Sequence, residues 1–185
     1  TKAVNIGLKR AKTRYVLMTD VDQVFQPNFF KIAIKYLREG YFIRCKTHFA
    51  PAIPKWFNVG NVKKNYKDLY HRFLQLVKKV ANKKPHGEGC CHGLPLDHAI
   101  KIGGYDEKYI GWGFEDKDFS CRVRVSGLQE MWINDKTSMI HLPHGRNKVY
   151  FSQNFRLKNE NRFKSKRNAG FKKIIANQGV SWGQI

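Results

Sequence analysis

Three groups of residues in this chain have types and spacings that suit chemistry. Asp20-Val21-Asp22 presents two carboxylates close enough together for both to reach one hard divalent cation, Mg²⁺ or Mn²⁺, directly or through water. His141-Leu142-Pro143-His144 presents two imidazoles, and a neutral imidazole suits Mn²⁺. The run from Gly103 to Asp118 gathers Asp106, Glu107, Glu115, Asp116 and Asp118, with Asp97 just before it, in a chain otherwise rich in lysine and arginine. Its glycines let backbone approach a ligand, and the indole face of Trp112 can take a sugar ring, so this run suggests a sugar-handling pocket.

Each group also has a structural reading. Aspartates after a strand can cap the turn that follows. Glu115 and Asp116 open a helix, where the macrodipole favours acids in any case. A carboxylate on the floor of a cleft can instead accept the proton of a sugar hydroxyl and turn a poor nucleophile into a usable one. Trp112 can stack on a ligand or fill the core, the commoner place for an isolated Trp, a preference that Gly111 and Gly113 beside it weaken. The pairs Lys63-Lys64, Lys78-Lys79 and Lys83-Lys84 read as solvated helix faces.

Hydrophobic patterning predicts the elements that must position these groups. A helix over residues 3–11 feeds an apolar strand, Tyr15–Thr19, whose carboxyl end carries Asp20 and Asp22. Pro27-Asn28 opens a helix with an apolar face of Phe30, Ala33, Ile34 and Leu37, stopped by Gly40 before a strand over Tyr41–Cys45. Strand, helix, strand implies a parallel pair with a crossover, the unit of an open α/β sheet whose ligands gather at the carboxyl ends of strands. After a loop between Pro51 and Asn61, a basic helix carries an apolar stripe of Leu69, Phe73, Leu76, Val77 and Val80. Residues 85–89 read as a mobile loop, followed by a short strand and a helix over Asp97–Ile102. Another helix spans Glu115–Ser126, ends at Gly127 and places Asp118 and Arg122 as an i,i+4 pair. Strands over Gln129–Ile133 and Ser138–Leu142 precede the histidines. Beyond His144 the chain is basic, with Tyr150, Phe151, Phe155, Phe163 and Phe171, and one helix is expected there.

A chain of 185 residues with 42% hydrophobic composition can bury the core of one domain. No apolar run approaches the roughly 20 residues that span a bilayer, and Thr1-Lys2-Ala3-Val4 does not open a signal peptide. The chain starts without Met and inside a helix, so sequence upstream is expected, and an anchor there would leave the protein membrane-associated rather than cytoplasmic. Thirty-five Lys and Arg against 14 Asp and Glu give a net charge of +21, a field that attracts anions without identifying them. Cys45, Cys90, Cys91 and Cys121 show no CxxC spacing and read as buried thiols, which favours a reducing compartment.

Taken in order, Asn5-Ile6-Gly7 with Ala11, Asp20-Val21-Asp22, Pro27-Asn28-Phe29, Gly103-Gly104-Tyr105-Asp106-Glu107, Gly111 through Asp118, Arg122, Gly127 and His141-Leu142-Pro143-His144 resemble a metal-dependent, inverting glycosyltransferase of the GT-A fold. The likeness covers residues 3–146 and is to the family 2 enzymes and the galactosyltransferase C-terminal domain of β-1,4-galactosyltransferases and chondroitin-type synthases. It implies an α/β, Rossmann-like mixed sheet flanked by helices, without the first nucleotide-binding strands. Residues 1–146 would form the catalytic core and 147–185 a basic helical extension.

The resemblance further implies a nucleotide-sugar donor, UDP-linked, held through its diphosphate by Mn²⁺ or Mg²⁺, and a glycan acceptor that is acidic or neutral. Asp22, with His144 and His141, would hold the metal. Asp20 would contact the metal or the donor, and Trp112, Gly113 and Glu115 would line the sugars. Asp116 would be the catalytic base. Phe114 stands where the family has glycine, which would narrow the acceptor pocket. The alternatives are a basic nucleic-acid-binding or nuclease-like domain, motivated by the charge, and a glycan-binding domain without turnover. No nucleic-acid motif is present, which counts against the first.

Overall fold

The computed structural model describes residues 1–81, 84–87, 89, 91–145 and 152–184. Cys90, Tyr150 and Phe151 lie outside that set, as does the side chain of Val80. Among the described residues thirteen elements run in the order α1 (Lys2–Arg10), β1 (Tyr15–Thr19), β2 (Gln23–Phe25), α2 (Phe29–Tyr36), β3 (Tyr41–Arg44), β4 (His48–Phe49), α3 (Val59–Ala81), β5 (Cys91–Pro95), α4 (Leu96–Lys101), α5 (Glu115–Val125), β6 (Gln129–Trp132), β7 (Met139–His141) and α6 (Gln153–Asn168). This is the α/β class that the sequence implies, a mixed sheet with helices against it. Among the described residues no helix is long and apolar enough to cross a membrane.

The main sheet has the order β1-β5-β3-β6. β1 and β3 both run antiparallel to β5, and β3 runs parallel to β6. β1 and β3 are thus parallel and joined by a crossover through α2, as expected, but β5 lies between them. Gly93 makes that insertion feasible: a side chain there would collide with Ile43 and Leu17 on the flanking strands.

A second, three-stranded sheet of order β2-β7-β4 was not foreseen. Its strands β2 and β4 are three and two residues long, too short for an alternating pattern to show.

Two helices present a different face from the one expected. α2 buries Phe29 and Ala33, with Ile32, Tyr36 and Leu37 packed partly behind them, while Phe30 and Ile34 are 53% and 70% exposed. Both registers satisfy the same i, i+3, i+4, i+7 spacing. The buried one packs Phe29 against Phe25 of β2 at a ring separation of 4.6 Å. α3, whose backbone departs from helical geometry at Asn65, buries Leu69, Tyr70, Phe73, Leu74 and Val77 and leaves Leu76 partly exposed. Tyr70 joins the buried face because Ser138 Oγ lies 2.9 Å from its hydroxyl.

One core, around Phe42, Leu94, Tyr105, Phe119 and Val123, seats α1, α4 and α5 on one side of the main sheet. A second, around Phe29, Ile43, Cys91, Ile133 and Met139, seats α2 on the other. Cys45 and Cys91 are buried free thiols, as expected, and burial pushes the Cys45 thiol up to about 12.

Candidate active and metal site

The small second sheet assembles the first part of the site. β2 runs antiparallel to β7 with Gln23 opposite His141, and just before it the Asp22 carbonyl accepts a bond from the Leu142 amide at 2.9 Å. That pairing fixes Asp22 beside both histidines. His144 Nε2 lies 3.1 Å from Asp22 Oδ2, and His141 Nε2 lies 3.4 Å from Asp22 Oδ1. Phe49 of β4 stacks on the His141 ring at 4.9 Å and holds it flat.

These three side chains fit a divalent cation. Their ligand atoms all lie within 4.8 Å of one another. Adjacent ligands with bonds of about 2.1 Å at right angles would sit about 3 Å apart, close to the His–Asp spacings here. Asp22 Oδ1 is buried without a hydrogen-bond partner among the described residues. His144 Nδ1 lies 3.0 Å from the Gly145 carbonyl, which can only accept, so a neutral ring would donate there and turn its Nε2 lone pair toward Asp22. In that tautomer two acceptors would face each other, an arrangement that a cation relieves. An imidazole fixed by a carbonyl at its far nitrogen is the usual support of a metal ligand.

The second part comes from the turn before α5. Gly113 and Phe114 both have positive φ, at 105° and 71°, which swings the chain so that α5 begins with Glu115 and Asp116 facing inward. Phe114 occupies the left-handed region that glycine prefers, and its ring packs against Phe163 of α6 at 5.6 Å. Burial pushes the Asp116 carboxyl well above its ordinary range, and the charges of Glu115 and Asp20 push it further. Burial likewise raises Glu115, whose Oε2 has no hydrogen-bond partner among the described residues. Gly89 lies directly over Asp116: a methyl group there would fall on the carboxylate.

A cleft of about 850 Å³ joins the two parts, with Asp20, Asp22, His141, His144, Trp112, Gly113, Glu115 and Asp116 all on its wall. All eight residues named from the sequence therefore line one cavity. Other residues on the wall were given no role from the sequence, among them Phe49, His86, Gly89 and Arg156. Phe49 sits in a two-residue strand, and Arg156 belongs to a helix with no visible link to the motifs.

The other acids named with the site do not reach it. Asp118 is fully buried and paired with Arg122 at 2.7 Å, and Tyr109 and Lys166 also donate to it. Asp106 accepts from Arg162 and from Lys166, each at 2.7 Å. Glu107 accepts from Asn5 and from the Gly183 amide. The Asp97 carboxylate accepts from the His98 amide at the start of α4. Glycine and acid in Gly103-Gly104-Tyr105-Asp106-Glu107 therefore serve docking: a side chain on Gly103 would strike the Ala176 carbonyl, and one on Gly104 would strike Asn5 and Trp182.

A family model described as the N-terminal domain of galactosyltransferase matches residues 71–145. Human chondroitin sulfate synthase 3 is 27% identical over 146 residues, covering 75% of this chain and 15% of that protein. The catalytic domain of Drosophila β1,4-galactosyltransferase 7, solved with xylobiose, aligns over 82% of this chain and 52% of its own, with 20% identity and a TM-score of 0.46. A mutant of that enzyme, solved with manganese, UDP-Gal and xylobiose, aligns over the same shares at 20% identity and a TM-score of 0.45. The chain thus spans about half the length of these solved relatives and a small part of the human one. The motifs point to a galactosyltransferase C-terminal domain and the matched model is described as N-terminal, but both name the same enzymes. Over residues 71–145 this chain is similar to the galactosyltransferases, and the resemblance to a GT-A glycosyltransferase is borne out.

Proposed function

We propose that this domain transfers a sugar from a nucleotide diphosphate sugar, UDP-linked, to a hydroxyl of a glycan acceptor, with inversion at the anomeric carbon. The observation that carries the proposal is convergence: a cation-ready Asp22–His141–His144 cluster and a buried acid pair, Glu115 and Asp116, share one cleft with Trp112 at its mouth. The matched galactosyltransferase family model supports a sugar donor for this site.

In this reading Asp22, His141 and His144 would hold Mn²⁺ or Mg²⁺, which would supply positive charge against the diphosphate of the donor. Asp20 lies next to that cluster and accepts a hydroxyl of the donor. Trp112 offers an aromatic face to a sugar ring, Gly113 lets the ring approach the backbone, and Glu115 accepts from a sugar hydroxyl through its unpartnered oxygen. Asp116 takes the proton from the acceptor hydroxyl as its oxygen attacks the anomeric carbon. The bond from that carbon to the diphosphate oxygen breaks, and the nucleoside diphosphate leaves with the electron pair. A carboxylate whose pKa is raised by burial is well matched to this proton transfer near neutrality.

Mn²⁺ titration followed by thermal melting, with hydrolysis and transfer assays on a panel of UDP-sugars, tests the proposal. Mn²⁺ at about a hundred times its Kd should stabilise the protein by about 2.7 kcal/mol, and Asp22→Ala should abolish the shift. An Mn²⁺ response that survives Asp22→Ala, or UDP-sugar turnover indifferent to that change, overturns it.

A further inference from the structure

α5 begins without a capping side chain. Its first turn carries Glu115 and Asp116, yet the residue at its N-cap is Phe114, whose ring can accept nothing from the first-turn amides. The turn is held from below instead. Ser120, one turn further along α5, sets its hydroxyl 2.7 Å from the Asp116 carbonyl, and Nε2 of His92 on β5 lies 3.1 Å from that same hydroxyl. His92 Nδ1 in turn lies 2.6 Å from the Tyr105 hydroxyl. All three side chains are buried, and none of them lines the cleft.

The direction of this chain follows from its end. A carbonyl only accepts, so the one hydroxyl proton of Ser120 is committed to Asp116, and Ser120 Oγ accepts from His92 Nε2. In a neutral ring Nδ1 is then the acceptor, and Tyr105 donates to it. Burial, with the charges of Asp116, Glu115 and Asp20, raises the Tyr105 phenol well above its ordinary range, so it keeps the proton it donates. Arg44 is the cross-strand partner of His92 on β3, and a second proton on the ring would set a new cation against that one. The far end is fixed as well. Asn5 Oδ1 accepts from the Tyr105 amide at 2.8 Å, Asn5 and Asn177 donate to the Tyr105 carbonyl, and its ring stacks on Phe119 at 4.3 Å.

We propose that Tyr105, His92 and Ser120 are positioning residues for Asp116, a one-way hydrogen-bond chain that clamps the uncapped first turn of α5 and so aims the carboxylate at the acceptor hydroxyl. This rests on the transferase reading for the role of Asp116 and deepens it. Donors aligned head to tail polarise one another, so the three act as a unit that any missing link weakens.

Carbon NMR of the Asp116 carboxyl, titrated on the full chain without substrate, tests the clamp. His92→Leu can bond neither neighbour and should let the carboxyl turn toward solvent, dropping its raised midpoint by about one pH unit or more toward the ordinary range. His92→Gln keeps an acceptor for Tyr105 and a donor for Ser120, and should recover most of that drop. Glu115, Asp20, Arg44 and the Thr1 amine, the charges that act on Asp116, are the same in every variant. Tyr105→Phe removes one oxygen and keeps the ring on Phe119, so it should move the midpoint the same way even if His92→Leu does not fold. In UDP-sugar hydrolysis with Mn²⁺, Tyr105→Phe and Ser120→Ala should each lower kcat, His92→Leu at least tenfold as for a small misplacement, with KM within about twofold. The double variant Tyr105→Phe with Ser120→Ala should fall little below the worse single one. An Asp116 midpoint unmoved by His92→Leu and Tyr105→Phe, a drop that Gln does not recover, or single effects that multiply in the double variant, overturns the proposal. If the wild type hydrolyses no UDP-sugar, the transferase reading fails, while the carboxyl titration still decides whether the chain holds Asp116.

Discussion

At the residue scale, Asp116 sets function against stability. Its folded-state pKa is raised by burial first and by Glu115 and Asp20 next, so the fold favours the protonated carboxyl. Below the unfolded pKa of about 4 the group is neutral in both states, and folding bears no penalty from it. As pH rises toward and through the raised folded value, the unfolded chain ionises more readily than the native one, and stability is lost. Asp116→Asn removes that loss. The variant should melt higher than the wild type at neutral pH, by an increment that shrinks to nothing near pH 4, while transfer falls about 10²–10⁴-fold as for loss of a general base. Melting curves from pH 4 to 8 alongside transfer rates check both halves. Gly89→Ala acts on the same carboxylate from above. The added methyl would displace it, so the rate should fall at least tenfold, roughly what a misplacement near 1 Å can do, with the circular dichroism spectrum unchanged.

At the scale of elements, α6 is held by ions. Burial alone would raise Asp106, but hydrogen bonds from Lys166 and Arg162 hold its carboxyl at about 2. A depressed folded pKa means stability that is present above the unfolded value near 4 and lost as pH falls toward 2, on the order of 2 kcal/mol for a buried group. Lys166→Met leaves Asp106 with Arg162 and Asp118 with Arg122, so neither charge is abandoned. The cost should be about 2–3 kcal/mol, below the 3–5 typical when a buried pair is broken outright. Denaturant titrations at pH 7 and pH 3 check it, and the gap between variant and wild type should narrow at the lower pH. None of this docking was legible in the sequence. The Asp118–Arg122 pair was, because an i,i+4 spacing on one helix is local, but the partners of Asp106 lie 56 and 60 positions away. The same limit explains the second sheet. Asp22, His141 and His144 were readable as ligands by residue type, whereas the short strands that bring them together carry no period, and the site's Phe49 and Arg156 arrive on elements that no motif marks.

For the whole molecule the question is whether residues 152–184 are an appendage or part of the unit that holds the site. The tail returns to the glycine-rich turn at many points. Asn177 donates to the carbonyls of Gly103 and Tyr105 and accepts from the Glu107 amide; the Ala176 amide donates to the Ile102 carbonyl. Phe163 and Phe171 complete a small core with Tyr109. Lys9 of α1 sits 4.1 Å over the Trp182 ring, so the far end of the chain is tied to its beginning. Ending the chain at residue 151 would strip Asp106 of both its cations, leave Arg122 as the one cation on Asp118 among the described residues and open that core. A buried charge without a partner costs several kcal/mol, and two exposed aromatics add about as much again, against the 5–15 kcal/mol that a domain of this kind has in total. The truncated chain should therefore lack a cooperative melting transition and lose the Mn²⁺-induced shift, even though Asp22, His141, His144, Glu115 and Asp116 are all retained. A sharp transition within a few degrees of the full chain, still raised by Mn²⁺, would mean that the ion pairs are surface fittings and that the first 151 residues fold by themselves. The charge distribution argues for the first outcome: in a chain of net charge +21, cations of α6 converge on the buried carboxylates Asp106 and Asp118.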